Sequence, residues 1–254
     1  MKKILIIGLI FVLVGGVFCG AAYAAGERYA DLGVTNVAAI FFAEDGVAKI
    51  NIGAHVGDVK ILKSERNSGD IYVEAENVGE TGFVCEQSGD TLNISYNPKK
   101  FGFVPLPDFI IRPFWSAKAP VITIYVPEGT SLEEVYFDGG VGNTEVRQIQ
   151  TKSFVINGGL GNFDVKDIYS ENLKIDGGVG NIKIAGTIAG DVKINGGLGN
   201  VRLNLRGEAE DYKIKVNGGL GDIRVNGNNP KDSKTGKYSM KIDGGVGNID
   251  IIIN

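Results

Sequence analysis

The chain has few of the residues that most often carry catalysis or bind metals. Its 254 residues include one histidine, two cysteines and one tryptophan. A Ser-His-Asp triad or a Cys/His zinc site would have to be built around the single histidine, His55, which stands in a glycine-rich turn. A lone histidine is more often a turn or surface residue than a base or a ligand. These scarcities argue against the common hydrolase and zinc-enzyme classes and give no reason to expect a cofactor.

The two cysteines leave no internal disulfide if the N-terminal segment is removed. Cys19 lies in that segment, and residues 16–18 before it match a lipid-attachment sequence poorly. Cys85 would then be the only thiol of the mature chain, either buried and inert or exposed and able to pair with another chain. Its position in the alternating stretch 83–86 favours burial in a strand.

The first 24 residues have the form of a targeting segment. Lys2 and Lys3 precede an apolar run over residues 4–18, and residues 22–24 form a small-x-small cleavage site. The segment is interpreted as a signal peptide or, because residues 4–25 are long enough to span a bilayer, as an N-terminal membrane anchor. Both interpretations predict an exported protein at the cell surface or outside the cell, and the second predicts a membrane tether.

The charge balance is mildly acidic. The formal net charge is −4, and removal of Lys2 and Lys3 changes it to −6. A nucleic-acid partner is not expected, because domains that bind nucleic acids carry a basic excess.

Six copies of a nine-residue phrase fill the second half of the chain. Each copy has an opening Asp or Asn, a GG(V/L)G core, a second polar residue and a short alternating tail. The copies, numbered one to six in chain order, begin at Asp138, Asn157, Asp176, Asn195, Asn217 and Asp243. The first four starts are 19 residues apart, and the last two follow after 22 and 26 residues. Self-similarity at such a period indicates a stacked repeat architecture.

Apolar and polar residues alternate on both sides of the glycines, which predicts strand, tight turn and strand in each copy. Two arrangements satisfy this pattern: a string of β-hairpins, or a solenoid in which each copy forms part of one rung. The solenoid is favoured because stacking, unlike a hairpin turn, requires equivalent positions to share residue identity. The predicted fold is all-β, a single-domain parallel β-solenoid of the β-helix type with rungs of about 19–22 residues.

The polar positions of the phrase support stacking. Two Asp never open consecutive copies, and Asn above Asp permits an amide-to-carboxylate hydrogen bond where Asp above Asp would repel. The second polar position is Asn in five copies and Asp222 in copy five, and it is interpreted as an Asn ladder. Asp always occurs with Val, and Asn with Leu, in the GG(V/L)G core. This coupling indicates duplication of a pair of rungs.

The chain divides into three parts: the targeting segment 1–24, an irregular β part over 25–126, and the regular repeats over 127–254. The irregular part is expected to continue the solenoid and to cap it, and residues 47–61 look like a decayed copy of the phrase. Five of the seven prolines interrupt the strands within residues 98–120. This segment is interpreted either as a loop folded on the solenoid or as a loop that meets a partner or the membrane. Its candidate contact residues are Phe101, Phe103, Phe109, Phe114 and Trp115. A second insertion, residues 226–237, is polar and predicts a plain exposed loop.

Outward positions beside the glycines carry basic residues. They are Lys174, Lys193, Lys215 and Lys241 before the glycines, and Lys183, Arg202 and Arg224 after them. Stacked like charges destabilise a sheet, so two interpretations remain. The stripe binds an anionic ligand, such as a cell-wall polymer or lipid headgroups, or it is a solvated face that limits aggregation.

Enzymatic and calcium-binding alternatives have weaker support. Some parallel β-helices act on polysaccharides, but the outward residues after the glycines form a mixed ladder rather than paired carboxylates. The calcium-binding nonapeptide requires Asp two residues after its third glycine, where this chain has Thr, Phe, Ile or Val. A glycan-active β-helix enzyme therefore stays the less favoured alternative.

The last strand of the sequence, residues 249–254, is apolar and closes copy six. A rung at the end of a stack leaves unpaired backbone groups. We expect this C-terminal rung to be covered by an inserted loop or to pair with a second copy of the chain, forming a homo-oligomer.

The run from Pro127 to Asn254 resembles a bacterial family named "putative adhesin", a β-strand-repeat domain of unknown function. The likeness rests on the Val-Pro-Glu-Gly-Thr sequence at residues 126–130 and on the repeated phrase. The resemblance implies an exported or membrane-tethered β-solenoid and supplies no catalytic residues. The expected function is a non-enzymatic, adhesin-like cell-envelope scaffold that binds an anionic wall polymer, lipid headgroups or an envelope protein. An accessory or sensor component of an envelope-stress system is the alternative.

Overall fold

The computed structural model describes residues 37–66, 69–79, 82–97, 119–230 and 232–254. These residues form eighteen β-strands and one short 3-10 turn at Ala209–Asp211, so the all-β prediction is confirmed. The targeting segment 1–24 and the aromatic residues Phe101, Phe103, Phe109, Phe114 and Trp115 lie outside the described residues.

Strands before the repeats make up the N-terminal half of the described chain. They are β1 Val37–Phe42, β2 Lys49–His55, β3 Asp58–Lys63, β4 Tyr72–Val78, β5 Phe83–Ser88, β6 Thr91–Tyr96 and β7 Val121–Val126. The repeats supply the remaining strands. They are β8 Ser131–Asp138, β9 Thr144–Arg147, β10 Gln150–Asn157, β11 Phe163–Asp176, β12 Ile182–Ile188, β13 Val192–Asn195, β14 Val201–Leu205, β15 Tyr212–Asn217, β16 Ile223–Val225, β17 Tyr238–Asp243 and β18 Ile249–Ile253.

Each copy contributes one strand before its glycines and one after them, and these strands stack into two parallel walls. In the first wall, β10 lies between β8 and the second half of β11, which pairs in turn with β13. In the second wall, the first half of β11 lies between β9 and β12, and β12 pairs with β14. The register places equivalent positions of successive copies side by side, so that Val135, Phe154 and Leu173 are neighbours. The copies therefore stack as rungs and do not form separate hairpins.

The last two copies exchange places in the stack. Strands β17 and β18 of copy six pair with β13 and β14 of copy four on one side and with β15 and β16 of copy five on the other. Copy five therefore ends the stack, which corrects the expectation that the C-terminal rung lies at an open edge. Any homo-oligomer formed through a terminal rung would have to use copy five, and such an oligomer stays a prediction.

The N-terminal half begins with one more rung and ends in antiparallel pairs. Strands β2 and β3 lie beneath copy one, in parallel with β8 and β9, and β6 and β7 extend the two walls by one layer. Beyond that layer β5 pairs with β6, β4 with β7 and β1 with β4, all antiparallel. The sheet is therefore mixed, and a parallel solenoid describes the repeats and the rungs beneath them rather than the whole of residues 25–254.

The core lies between the two walls and is filled by alternate residues of each strand. Phe137 and Phe154 are fully buried neighbours in the first wall, and the Phe163 ring stands edge-on to Phe137 at a centroid distance of 5.4 Å. Full burial of such a side chain stabilises the fold by about 1.5–3 kcal/mol. Most outward residues of these strands are polar, with Val155 an exception, which accounts for the alternation in the sequence.

The third glycine of each phrase is required by the stacking distance between corners. A Cβ built on Gly161 would lie 1.8 Å from the carbonyl oxygen of Gly142, and one on Gly180 would lie 1.9 Å from that of Gly161. Both residues also have φ between +143° and +149°, a conformation that L side chains rarely adopt. The glycines thus let one corner rest directly on the next.

The insertion over residues 226–237 closes the edge of the terminal rung. The backbone N–H of Ser233 donates to the Ile214 carbonyl at 2.8 Å, and the Asp232 carboxylate accepts from the Val216 N–H at 3.1 Å. On the second wall, Asn228 and Val225 exchange two backbone hydrogen bonds. The segment is exposed, as expected from its polar composition, and it also caps the edge of the terminal rung.

Candidate ligand-binding surface

The opening Asp and Asn residues form a ladder that alternates without a break. In the spatial order of the rungs it runs Asp138, Asn157, Asp176, Asn195, Asp243, Asn217. Asn157 Nδ2 donates to Asp138 Oδ1 at 2.8 Å, and the Asn195 and Asn217 amides donate in the same way to Asp176 and Asp243. The exchange of copies five and six keeps every carboxylate next to amides.

The second polar positions form the predicted Asn ladder. Asn162 donates both its backbone N–H and its Nδ2 to Asn143 Oδ1, and Asn181 and Asn200 repeat this pattern. The ladder begins at Asp58, whose carboxylate accepts from the Asn143 N–H at 2.9 Å. It continues through Asn248 to Asp222 in copy five. Each corner is therefore locked to the corner beneath it.

Four lysines form a continuous row on the outer face of the first wall. In register they run Lys174, Lys193, Lys241, Lys215, and this set is called the lysine row below. Lys174 forms an ion pair with Asp176 at 2.6 Å. That hydrogen bond raises the pKa of Lys174 and lowers the pKa of Asp176. Within the described residues, the other three lysines form no ion pair.

The three basic residues predicted on the second wall do not form a purely basic stripe. Lys183 lies beside Arg202, but Asp250 separates Arg202 from Arg224. Arg202 approaches Asp250 at 3.7 Å, and Arg224 pairs with Asp222 at 2.8 Å. This set of four residues, called the mixed row below, is therefore partly neutralised. The structure brings all seven predicted basic residues to the same four rungs but leaves only the lysine row largely unpaired.

A row of apolar side chains runs along the corner between the two ladders and was not among the predicted site residues. It consists of the Val or Leu of each GG(V/L)G core, is called the ridge below, and runs Val141, Leu160, Val179, Leu198, Val246, Leu220. From Leu160 onward these residues are between 46% and 75% exposed. A sequence signal existed, because an apolar residue between glycines in a tight corner has no neighbouring side chain to cover it.

The single histidine is buried, not a surface turn residue. His55 is 4% exposed and stands where the next rung has Gly140, because the following residue, Val56, pairs with Val141, and its ring lies over that glycine. Its Nδ1 lies 3.0 Å from the Gly53 carbonyl oxygen. Burial lowers the pKa of His55, so the neutral ring is favoured. The residue fills the corner of the first rung.

Cys85 lies on β5 with its side chain partly buried against the core. Burial raises the pKa of its thiol to about 12. The thiol therefore stays protonated at neutral pH, which makes it a poor nucleophile. Within the described residues, no cluster of His, Cys, Asp and Glu could hold a metal ion.

Comparison with known proteins gives a family and a fold. The family model of Toastrack DUF4097 matches residues 47–254. A crystal structure of a putative cell adhesion protein from Clostridium sporogenes is similar, at 20% identity and a TM-score of 0.50, covering 87% of this chain and 100% of that one. A putative adhesin from Bacteroides fragilis is similar at 13% identity and a TM-score of 0.36, covering 86% and 98% of the two chains.

A protein from Parabacteroides distasonis described as a putative lipid binding protein is also similar, at 16% identity and a TM-score of 0.30, with 84% and 96% of the chains covered. No curated protein sequence matches this chain. None of the helices in the described residues is long and apolar enough to cross a membrane. At these identities the similarity of the Clostridium sporogenes structure supports the fold alone.

Proposed function

Because the chain belongs to the Toastrack DUF4097 family, we propose that it is a non-enzymatic, adhesin-like protein of the cell envelope. Its rigid β-solenoid is a scaffold that presents a basic surface to an anionic ligand. The observation that carries this proposal is the lysine row, in which three of four stacked lysines have no ion pair among the described residues.

The lysine row is unfavourable for the isolated protein. Ammonium groups at the rung spacing of about 4.8 Å repel by up to about 1 kcal/mol per adjacent pair in water. The mixed row next to it avoids this repulsion by including Asp250, so the fold itself permits a carboxylate at such a position. A polymer with closely spaced phosphates would neutralise the lysine row, which supports an anionic wall polymer as the ligand class.

The arrangement of the carboxylates also supports a binding role. The Asp residues of the ladder are each engaged by an Asn amide, and Asp250 and Asp164 lie beside arginines. An enzyme that cleaves glycans needs two carboxylates that face the same bond. In the described residues the ladder carboxylates instead alternate with amides, and the adjacent Glu145 and Asp164 are both paired with Arg147.

Binding to poly(glycerol phosphate) tests the proposal. The wild-type protein is expected to bind this polymer at low salt and to lose affinity as the salt concentration rises, because salt screens the attraction between the lysine row and the phosphates. The variant with Gln at all four positions of the lysine row should lose binding.

A matched control keeps the change in net charge the same. It replaces four lysines that are already paired with a carboxylate, namely Lys49, Lys63, Lys152 and Lys166, by Gln. This control should bind the polymer as the wild type does. Equal losses in both variants would show that only bulk charge matters, and no binding by the wild type at either salt would refute the proposal.

The proposed location is outside the cytoplasm, at the cell surface or released, with residues 4–25 as a tether if they are not removed. Cell fractionation followed by N-terminal sequencing of the protein tests this. A mature chain that begins at Ala25 would indicate cleavage, and a chain with an intact N-terminus in the membrane fraction would indicate an anchor. Recovery of the protein in the cytoplasm alone would contradict the proposed location.

A further inference from the structure

The ridge is a continuous apolar line on the outside of the protein. Each of its side chains is bridged through the backbone to the next, from Val141 to Leu220. Six stacked positions at a spacing of about 4.8 Å give a line of about 24 Å. Exposed contiguous apolar surface on a soluble protein commonly marks an interaction site.

The ridge is flanked by basic residues on both sides over copies three, four, six and five. On one side is the lysine row, five residues before each Val or Leu, and on the other is the mixed row, four residues after it. The two rows contain seven basic residues and one carboxylate, Asp250. The nearer Asp176 and Asp243 are engaged by Asn amides, Asp176 also by Lys174, and Asp222 near Leu220 is paired with Arg224.

We propose that the ridge is a docking edge for an anionic lipid bilayer. Val179, Leu198, Val246 and Leu220 enter the boundary between headgroups and acyl chains, while the flanking lysines and arginines contact lipid phosphates. This combination of an apolar strip with basic flanks is the pattern that binds membrane interfaces. The long lysine side chains can extend toward the phosphates while their backbone stays above the surface. The proposal rests on the proposed function for the role of the lysine row and adds a lipid surface as a second phosphate-bearing ligand of that row.

The part of the ridge in copies one and two lacks basic residues in the equivalent flanking positions. Beside Val141 and Leu160 the outward residues of the second wall are Glu145 and Asp164, and those of the first wall are Tyr136 and Val155. The molecule is therefore expected to dock at an incline, with copies five and six deepest. Leu220, the most exposed residue of the ridge at 75%, lies at this end.

Fluorescence quenching by brominated acyl chains tests insertion at one position. In a Trp115→Phe background, Leu198→Trp places the only tryptophan on the ridge. Tyr169→Trp is the matched control, because Tyr169 lies in β11 at the end of its first-wall half that is farther from the ridge. The full chain is mixed with vesicles of phosphatidylglycerol in phosphatidylcholine. Strong quenching is expected for Leu198→Trp and not for Tyr169→Trp. Because both proteins carry the same N-terminal segment, the difference reports the ridge itself.

A second pair of variants separates this inference from the proposed function. Leu198→Ser with Leu220→Ser should weaken vesicle binding by about tenfold or more and leave binding to soluble poly(glycerol phosphate) unchanged. Polymer binding together with an unquenched Leu198→Trp protein would overturn the bilayer proposal and leave the proposed function standing. If the wild-type protein binds neither the vesicles nor the polymer, both proposals are overturned. A lipid-free dimer that dissociates on the same two substitutions would show that a second copy covers the ridge, which also overturns the proposal.

Discussion

The repeat half and the N-terminal half are both built from β-strands but differ in which residues are neighbours across those strands. In the repeats, parallel register sets every residue beside its equivalent, as Asn181 beside Asn162. In the N-terminal half, antiparallel pairs join unlike residues, as Cys85 opposite Ile94 and Glu86 opposite Asn93. Ladders of stacked Asn and Asp side chains and stacked glycine corners therefore arise only where equivalent residues of parallel rungs are neighbours. Residue identity is constrained by the neighbouring rung in the parallel stack, and only by burial in the antiparallel pairs beyond it.

A glycine substitution should give the largest difference between the halves. Gly161→Ala introduces a Cβ 1.8 Å from a backbone oxygen at φ +149°, and we expect the free energy of unfolding to fall by about 3 kcal/mol or more. Gly89→Ala in the β5–β6 turn has φ +60° and no atom within 4 Å of the new Cβ, so the expected loss is about 1–2 kcal/mol. Urea denaturation measures both. Equal losses would mean that stacking adds nothing beyond backbone strain.

A disrupted ladder should have the next largest effect. Asn195→Asp places a third carboxylate between Asp176 and Asp243 and removes an amide donor, which should destabilise the protein by about 1–2 kcal/mol at neutral pH. Asn204→Asp is the matched control, since this exposed residue lies between Ala185 and Ile252 and beside no carboxylate.

The contribution of the ladder carboxylate to stability should change with pH in opposite directions for Asp176 of the wild type and for the new carboxylate of Asn195→Asp. In the wild type, the hydrogen bond from Lys174 lowers the pKa of Asp176, so its stabilising contribution is present above the ordinary Asp pKa of about 3.9 and is lost as the pH falls through the lowered value. In Asn195→Asp, the neighbouring carboxylates should raise the pKa of the new group, so its penalty disappears as the pH falls. The thermal unfolding midpoints of the wild type and Asn195→Asp should converge at acidic pH. A difference between the midpoints that does not depend on pH would exclude charge repulsion as the cause of the destabilisation.

The stacking of the rungs was predicted from the sequence, but the order of the last two rungs was not. Periodicity predicted strand, turn and strand because the glycines and the alternation are local signals. Stacking followed from the shared identity at equivalent positions. The exchange of copies five and six was missed because consecutive copies were assumed to be neighbours, as sequential strands usually are. The signal was nevertheless present, since only the order four, six, five restores strict alternation after Asn195 and Asn217 follow each other in the chain.

Exposure of the ridge and burial of His55 could not be predicted from residue type. An apolar residue such as Leu198 normally predicts a core position, but here three glycines surround it and the corner turns it outward. His55 is polar, yet it lies against Gly140, where the absence of a side chain leaves room for the ring. In both cases the local backbone geometry, not hydrophobicity, determines which side of the wall a residue occupies.

Removal of the edge cap should have a smaller effect on stability and a clear effect on association. Ser233→Pro removes the N–H that donates to the Ile214 carbonyl, at an expected loss of about 1 kcal/mol. The edge of β15 should then be free to pair with another copy, so sedimentation velocity should show dimers or larger species. Thr235→Pro, in the same insertion, is the control and should remain unassociated. If Ser233→Pro is also unassociated, the cap is not what prevents edge pairing.

The smallest effect should come from single lysines, with a gain in stability in the repeat half and none in the N-terminal half. Lys193 lies between Lys174 and Lys241 without an ion pair, so Lys193→Gln relieves repulsion and should stabilise the protein by about 0.3 kcal/mol at low salt. Lys49 in the N-terminal half forms an ion pair with Asp90 at 3.1 Å, so Lys49→Gln should give no gain. Differential scanning fluorimetry at increasing salt measures both, and the gain from Lys193→Gln should shrink as salt screens the row. If Lys193→Gln instead destabilises the protein at low salt, the lysine row is not a site of repulsion, and the argument that it is retained for a ligand loses its physical basis.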